Sequence, residues 1–178
     1  MKKLFCIVGR TASGKDTLAR EVAKQSGLKI LISYTTRPKR FPHEDTHVFV
    51  TEQNYQTDKE NNQIIAYTEI NGNKYWCTKE QLAQSDIYII DPQGLETLKA
   101  NNNDIDFVTI YIYADEDKRR KRFCMREPYG SALFAARNTS ENMQFESFEY
   151  TKAYDYIVTN DIFSQAAKEL MEIINKEK

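Results

Sequence analysis

Lys15 stands at the end of a glycine-bounded loop, Gly9-Arg10-Thr11-Ala12-Ser13-Gly14-Lys15-Asp16-Thr17. Glycine lets a backbone curl so that successive N–H groups point inward, and the start of a following helix adds partial positive charge. A lysine placed there meets terminal phosphates as a point charge. Residues Gly9 to Thr17 therefore read as a P-loop that binds phosphate. The position after the lysine, where such loops carry a serine or threonine for Mg²⁺, holds Asp16. A carboxylate is a good hard-cation ligand and suits a helix N-terminus, although it brings negative charge close to the phosphates.

A phosphate-transfer site needs a second grip. Arg37 and Arg40 flank Pro38 just beyond an apolar stretch, spaced so that two guanidinium forks could converge on one phosphate. Asp91 ends the run Ile87-Tyr88-Ile89-Ile90, where P-loop enzymes commonly keep an acid that organises Mg²⁺. Farther on, Arg119, Arg122 and Arg126 share a helical face at i, i+3 and i+7, followed by Pro128, Gly130, Ser131 and then Arg137. Residues 126–136 read as a mobile loop. Such a segment could swing arginines over a transferring phosphoryl group and exclude water.

The elements that must position these groups follow from hydrophobic pattern. Leu4-Phe5-Cys6-Ile7-Val8 has strand length and composition, and Leu18, Val22 and Ala23 recur at helical spacing behind the loop. Residues 30–36 read as a second strand, closed by Pro38 and Pro42. Residues 43–78 differ in texture: short strands at 48–50 and 64–70, a turn at Asn71-Gly72-Asn73 into 74–78, and a short helix starting at Thr51. This predicts a small β-rich unit inserted into an α/β core. The core resumes with a strand at 87–91, a helix over 93–100, a strand at 107–113, a basic helix from Asp115, a polar helix over 137–154, a strand at 156–159 and a closing helix over 162–176. Strands alternating with helices predict a mainly parallel sheet flanked by helices, the P-loop NTPase arrangement.

Composition bounds the rest. The chain has 178 residues, 40% of them hydrophobic, which fits one domain with a real core. Its net charge of −1 removes any global electrostatic case for nucleic acid or anionic membrane. Cys6, Cys77 and Cys124 are scattered without metal-ligand spacing, as expected of reduced thiols in a cytoplasmic protein. No apolar run approaches membrane-spanning length, and the start is too short for a signal peptide.

Taken in order, these motifs resemble the guanylate kinase family. Ser33-Tyr34-Thr35-Thr36-Arg37-Pro38-Lys39-Arg40 resembles the family's S-x-T-T-R-x-x-R segment, and His47-Val48-Phe49-Val50-Thr51 its Y-x-F-V-S strand. Gly72-Asn73-Lys74-Tyr75 resembles G-N-Y-Y, Ile90-Asp91-Pro92-Gln93-Gly94 resembles I-D-x-Q-G, and residues 154–161 resemble Y-D-Y-x-V-x-N-D. The matches are collinear from residue 4 to about 176. The resemblance implies one guanylate kinase-like domain over 1–178, with a core at 1–36, 86–125 and 138–178, a nucleoside-monophosphate-binding subdomain at 37–85 and a lid at 126–137. It implies Mg²⁺-assisted phosphoryl transfer from ATP to GMP or dGMP, by a monomer or homodimer. Ser33, Arg37, Arg40, His47, Ala66, Tyr75, Cys77 and Asp91 would face the acceptor. Lys15, Arg37, Arg122, Arg126 and Arg137 would neutralise the transferring group, Asn160 would lie near the donor, and Asp16 and Asp91 near the metal.

The departures cluster in the acceptor site. The family's phosphate-holding tyrosine falls at His47, its guanine-binding glutamate at Ala66, a serine or threonine near the guanine oxygen at Cys77, and a glycine at Trp76. Two other readings follow from this: a divergent (deoxy)nucleoside monophosphate kinase with relaxed base preference, or an inactive binding module. Intact Lys15, Arg37, Arg40, Arg126 and Arg137 speak against the second.

Overall fold

The computed structural model describes residues 2–127 and 130–178. Residues 1, 128 and 129, among them Pro128 of the expected lid, lie outside the described residues.

The apolar N-terminal run forms β1 (Lys2–Val8), the middle strand of a five-stranded sheet. β7 (Ile87–Ile89) and β8 (Ile105–Tyr113) pair with it in parallel on either side. β2 (Ile30–Leu31) and β9 (Tyr156–Thr159) complete the parallel order β2-β7-β1-β8-β9. A central parallel strand is covered on both faces, which is why β1 is apolar without alternation. Its side chains nonetheless divide by parity. Leu4, Cys6 and Val8 join a cluster with Leu95, Leu98, Phe145 and Phe148. Phe5 and Ile7 join one with Leu18, Val22, Leu170 and Ile174. Helices α4 (Pro92–Asn101) and α6 (Gly130–Tyr150) thus cover one face, while α1 (Lys15–Ser26) and α7 (Phe163–Glu177) cover the other.

The inserted unit is a second sheet, ordered β4-β3-β6-β5, from β3 (Tyr34–Thr35), β4 (Val48–Phe49), β5 (Ile64–Ile70) and β6 (Asn73–Thr78). The β5–β6 hairpin turns at Asn71 and Gly72, with φ of 51° and 73°; the left-handed pair matches the twist of the flanking strands. Helix α2 (Glu52–Glu60) starts in a capping box on Thr51, and Tyr55 packs edge-on against Trp76. Trp76 is fully buried and donates its indole N–H to Asp58 at 2.9 Å. The large side chain that replaces the family's glycine is therefore core of this unit.

Three expectations change. The single strand expected at 30–36 is two strands in different sheets. The Ile32 carbonyl accepts from Gln81 Nε2 at 2.8 Å and the Ser33 carbonyl from the Val48 N–H at 2.9 Å, so the chain crosses between sheets there. The inserted sheet consequently takes in residues before 37. The expected loop at 126–136 is mostly helix, because α6 begins at Gly130, and its first turns hold alanines and Leu133, which favour helix over the weak breaker signal of Ser131. Asp91 ends no strand: it lies beyond β7 and is the N-cap of α4, with its Oδ1 accepting the Gly94 N–H at 3.0 Å. Short α3 (Lys79–Ala83), capped by Thr78 and Gln81, carried no strong pattern in sequence.

Candidate active site

The P-loop connects β1 to α1 at the carboxyl edge of the parallel sheet, where open α/β sheets bind ligands. Gly14 has φ of +88°, and a Cβ there would lie 2.2 Å from Asn160 Nδ2, so backbone conformation and space both demand glycine. Asn160 is buried and donates that amide to the Ser13 carbonyl at 2.7 Å. Arg122, on α5 (Glu116–Cys124), donates to the Ser13 carbonyl at 3.2 Å and to the Asn160 carbonyl at 2.7 Å. Arg122 and Asn160 therefore brace the loop from behind and do not line the cleft in front of it. Arg119 is also buried: its guanidinium donates to the carbonyls of Ala114 and Thr11 and to Asn138. The basic face of α5 holds the loop rather than facing solvent.

In front of the loop lies a cleft of about 510 Å³. Gly9, Thr11, Ala12, Gly14, Lys15, Asp16 and Thr17 line one end of it. Arg37, Arg40, Ser33, His47, Tyr75, Ala66 and Asp91 line the other end, and Arg126 and Arg137 also face the cleft. Of the P-loop residues, Ser13 is buried, and Arg10 turns away to pair with Glu149. Lys15 Nζ lies 3.3 Å from Asp16, whose carboxylate the lysine charge holds below its usual pKa. Side-chain exposure of Asp16 is 54%, which leaves its oxygens open to the cleft.

Arg37 and Arg40 are built on Glu44. Glu44, with 1% of its side chain exposed, accepts from Arg37 Nη2 at 2.7 Å and Nη1 at 3.2 Å, from the Arg40 N–H at 2.7 Å and from Thr46 Oγ at 2.9 Å. Burial opposes its ionisation, yet these donors hold its pKa down at about 2. Its sequence signal was an acid in an otherwise basic, proline-containing loop. Arg37 Nε is buried with no hydrogen-bond partner among the described residues. Burial, then the charges of Arg37 and Arg137, lower the pKa of Arg40. Three guanidiniums are thus crowded together with one buried N–H unanswered, the condition an incoming anion relieves.

His47 Nδ1 lies 3.0 Å from Ser33 Oγ, and its ring meets Tyr75 edge-on at 5.4 Å. Burial and the Arg37 charge take its pKa down to about 4, so it is a neutral ring at neutral pH. Ala66 lies on the cleft wall, but Cys77 does not. Fully buried with Ala66 and Tyr88, its thiol is pushed up to about 12 by burial, which corrects its expected place beside the acceptor. β6 carries it past the cleft into the junction between the sheets. Burial raises the pKa of Asp91, and one of its oxygens serves the helix cap. Among the described residues no three acidic, histidine or cysteine side chains cluster as a metal cage. Asp16, exposed beside the loop, fits a cation ligand better than Asp91, one of whose oxygens caps α4.

Fold and site together define a P-loop α/β protein with a cluster of arginines across a cleft from its phosphate loop. The guanylate kinase family model matches residues 1–177. A guanylate kinase of Rickettsia typhi is 29% identical over 94% of this chain and 88% of its own length. Another, from Brucella melitensis biotype 1, is 29% identical over 98% and 83%. The solved guanylate kinase structure from Anaplasma phagocytophilum has the same fold, with a TM-score of 0.70, 21% identity, and coverage of 99% of this chain and 86% of that one. The chain belongs to the guanylate kinase family. No helix among the described residues is long and apolar enough to cross a membrane.

Proposed function

We propose that this protein is an ATP-dependent nucleoside monophosphate kinase that converts GMP or dGMP to the diphosphate. The observation that carries the reading is the convergence of Lys15, Arg37, Arg40, Arg126 and Arg137 on one cleft, with donor and acceptor ends facing each other. A binding module has no need of two opposed phosphate grips.

In this reading the P-loop N–H groups and Lys15 hold the donor's terminal phosphates. Arg37 and Arg40, aimed by Glu44, hold the acceptor phosphate, with His47, Ser33 and Tyr75 beside them. An acceptor phosphate oxygen forms a bond to the γ-phosphorus as the bond from that phosphorus to the β–γ bridging oxygen breaks. Neither a covalent nucleophile nor a strong base is required, because the work is positioning and charge stabilisation. Arg126 and Arg137 stand over the path of the moving group, while Arg122 and Asn160 act through the loop they brace. Asp16 is the residue that would hold Mg²⁺, which when bound supplies further neutralisation of phosphate charge.

The test is ADP release from ATP across a panel of ribo- and deoxynucleoside monophosphates. Turnover with GMP or dGMP above the other bases is expected. A protein that binds these nucleotides but turns over none of them would overturn the reading in favour of a binding module.

A further inference from the structure

The side chain of Arg10 belongs to the phosphate-binding motif but serves something else. Its Nε and Nη2 make a two-pronged pair with Glu149 at 2.8 and 2.9 Å, and Nη1 donates to Asn142 Oδ1 at 2.9 Å. The guanidinium lies over the Phe145 ring at 5.0 Å, and 11% of the side chain is exposed. Tyr111 donates its hydroxyl to the same Glu149 carboxylate. The next residue, Thr11, gives its N–H to Glu141 at 3.0 Å and its hydroxyl to the other oxygen of that carboxylate. One turn below, Asn138 accepts from Arg119, which also donates to the Thr11 carbonyl. Residues 138, 141, 142, 145 and 149 fall within an arc of about 100° on α6 at 3.6 residues per turn. One face of this helix is devoted to the P-loop and its supports, and Arg137 stands at the flank of that face, beside Glu141, reaching the cleft.

We infer that Arg10 is a positioning residue: by fastening α6 to the P-loop through Glu149 and Asn142, it fixes Arg137 relative to the phosphate that Lys15 holds. An α-helix transmits an anchor along its length, and Arg137 and Glu149 are about 18 Å apart along the axis. A fork bound on both edges resists rotation, which a single lysine-type contact would not. Arg10 faces away from the cleft, so this anchor persists when the donor's phosphates occupy the loop. The Glu141 contact at Thr11 lies on the cleft side, and phosphate can displace it. The anchor therefore fixes the helix while the cleft-side contact yields.

This inference rests on the proposed kinase activity, so its test has one arm that needs no turnover. In Arg10→Ala, kcat with ATP and GMP should fall about tenfold or more while KM for ATP stays within about threefold, since misplacing a charge near the chemistry costs rate before ground-state binding. The reversed pair, Arg10→Glu with Glu149→Arg, should regain most of the lost kcat, which a merely structural defect would not do. Hydrogen exchange of the α6 amides from 131 to 142 should quicken in Arg10→Ala and return towards the parent in the reversed pair. A kcat in Arg10→Ala within about twofold of the parent, or a loss confined to KM for ATP, overturns the inference. So does failure of the reversed pair to restore activity when it unfolds at the parent's temperature. A parent inactive on every nucleotide would sink the kinase reading alone; unchanged α6 exchange in Arg10→Ala would then still refute the anchor.

Discussion

Replacing Glu44 by glutamine tests the buried support of the acceptor site, and its size can be worked from the structure. The carboxylate is 1% exposed and accepts four hydrogen bonds, two of them from Arg37. Its pKa falls from an ordinary 4.5 to about 2, which corresponds to about 3 kcal/mol of stability. Breaking a buried pair by removing one partner costs about 3–5 kcal/mol, so two independent routes give the same scale. Because the folded pKa is depressed, this stabilisation is complete above pH 4.5 and is lost as pH falls towards 2. Urea unfolding at pH 7 should show Glu44→Gln less stable than the parent by about 3 kcal/mol. At pH 3 the gap should shrink to about 1.5 kcal/mol, since the unfolded chain's carboxylate is then mostly protonated while the folded one, with its pKa of about 2, is still mostly ionised. At pH 7 the variant should also show a raised KM for the acceptor, because Arg37 is no longer aimed. An equal stability gap at pH 7 and pH 3 would refute the electrostatic argument.

Other expectations concern the site directly. Lys15→Ala should abolish transfer with the fold intact, judged by ADP release beside an unchanged unfolding midpoint; parent-level turnover would sink the P-loop assignment. Asp16→Ala should lower activity and shift its Mg²⁺ titration to higher concentrations, whereas Asp16→Thr is tolerated; identical titrations in all three proteins would exclude Asp16 from the metal site. Ala66→Glu should raise kcat/KM for GMP about ten- to hundredfold, since a charge-assisted pair to guanine's N–H groups is worth about 1.5–3 kcal/mol. Glu69 also lines the cleft, but it accepts the Tyr67 hydroxyl at 2.9 Å and would have to give up that bond to meet the base. Efficient, strictly guanine-specific turnover by the parent would contradict that account of the base site. Finally, residues 37–85 and 126–137 should gain exchange protection with a bisubstrate analogue, as two grips on separate segments close around the phosphates; unchanged exchange in both would count against closure.

The phosphate loop was legible in sequence because everything that makes it is local: an apolar strand, glycine at the left-handed position and a helix start within a few residues. The helix caps at Thr51 and Asp115 and the turn at Asn71-Gly72 are local for the same reason, and each appears where its residues predict it. Arg37 and Arg40 were legible as candidate site residues and both line the cleft, and the run of motifs marked the family. The sequence alone does not decide which way a side chain faces once its partners come from far along the chain. Arg10 sits in the motif, but its partner Glu149 is 139 residues away and turns it from the cleft. Cys77 shares a strand with Tyr75, yet the meeting of two sheets buries one and leaves the other on the cleft wall. Arg119 and Arg122 read as arginines that reach the transferring phosphoryl group until the P-loop's carbonyls are laid against them. Local pattern fixes backbone conformation, since its energetics act within a few residues. The environment of a long polar side chain depends on burial and on charges brought together by tertiary packing, and those decide whether a residue touches the substrate or holds the residue that does.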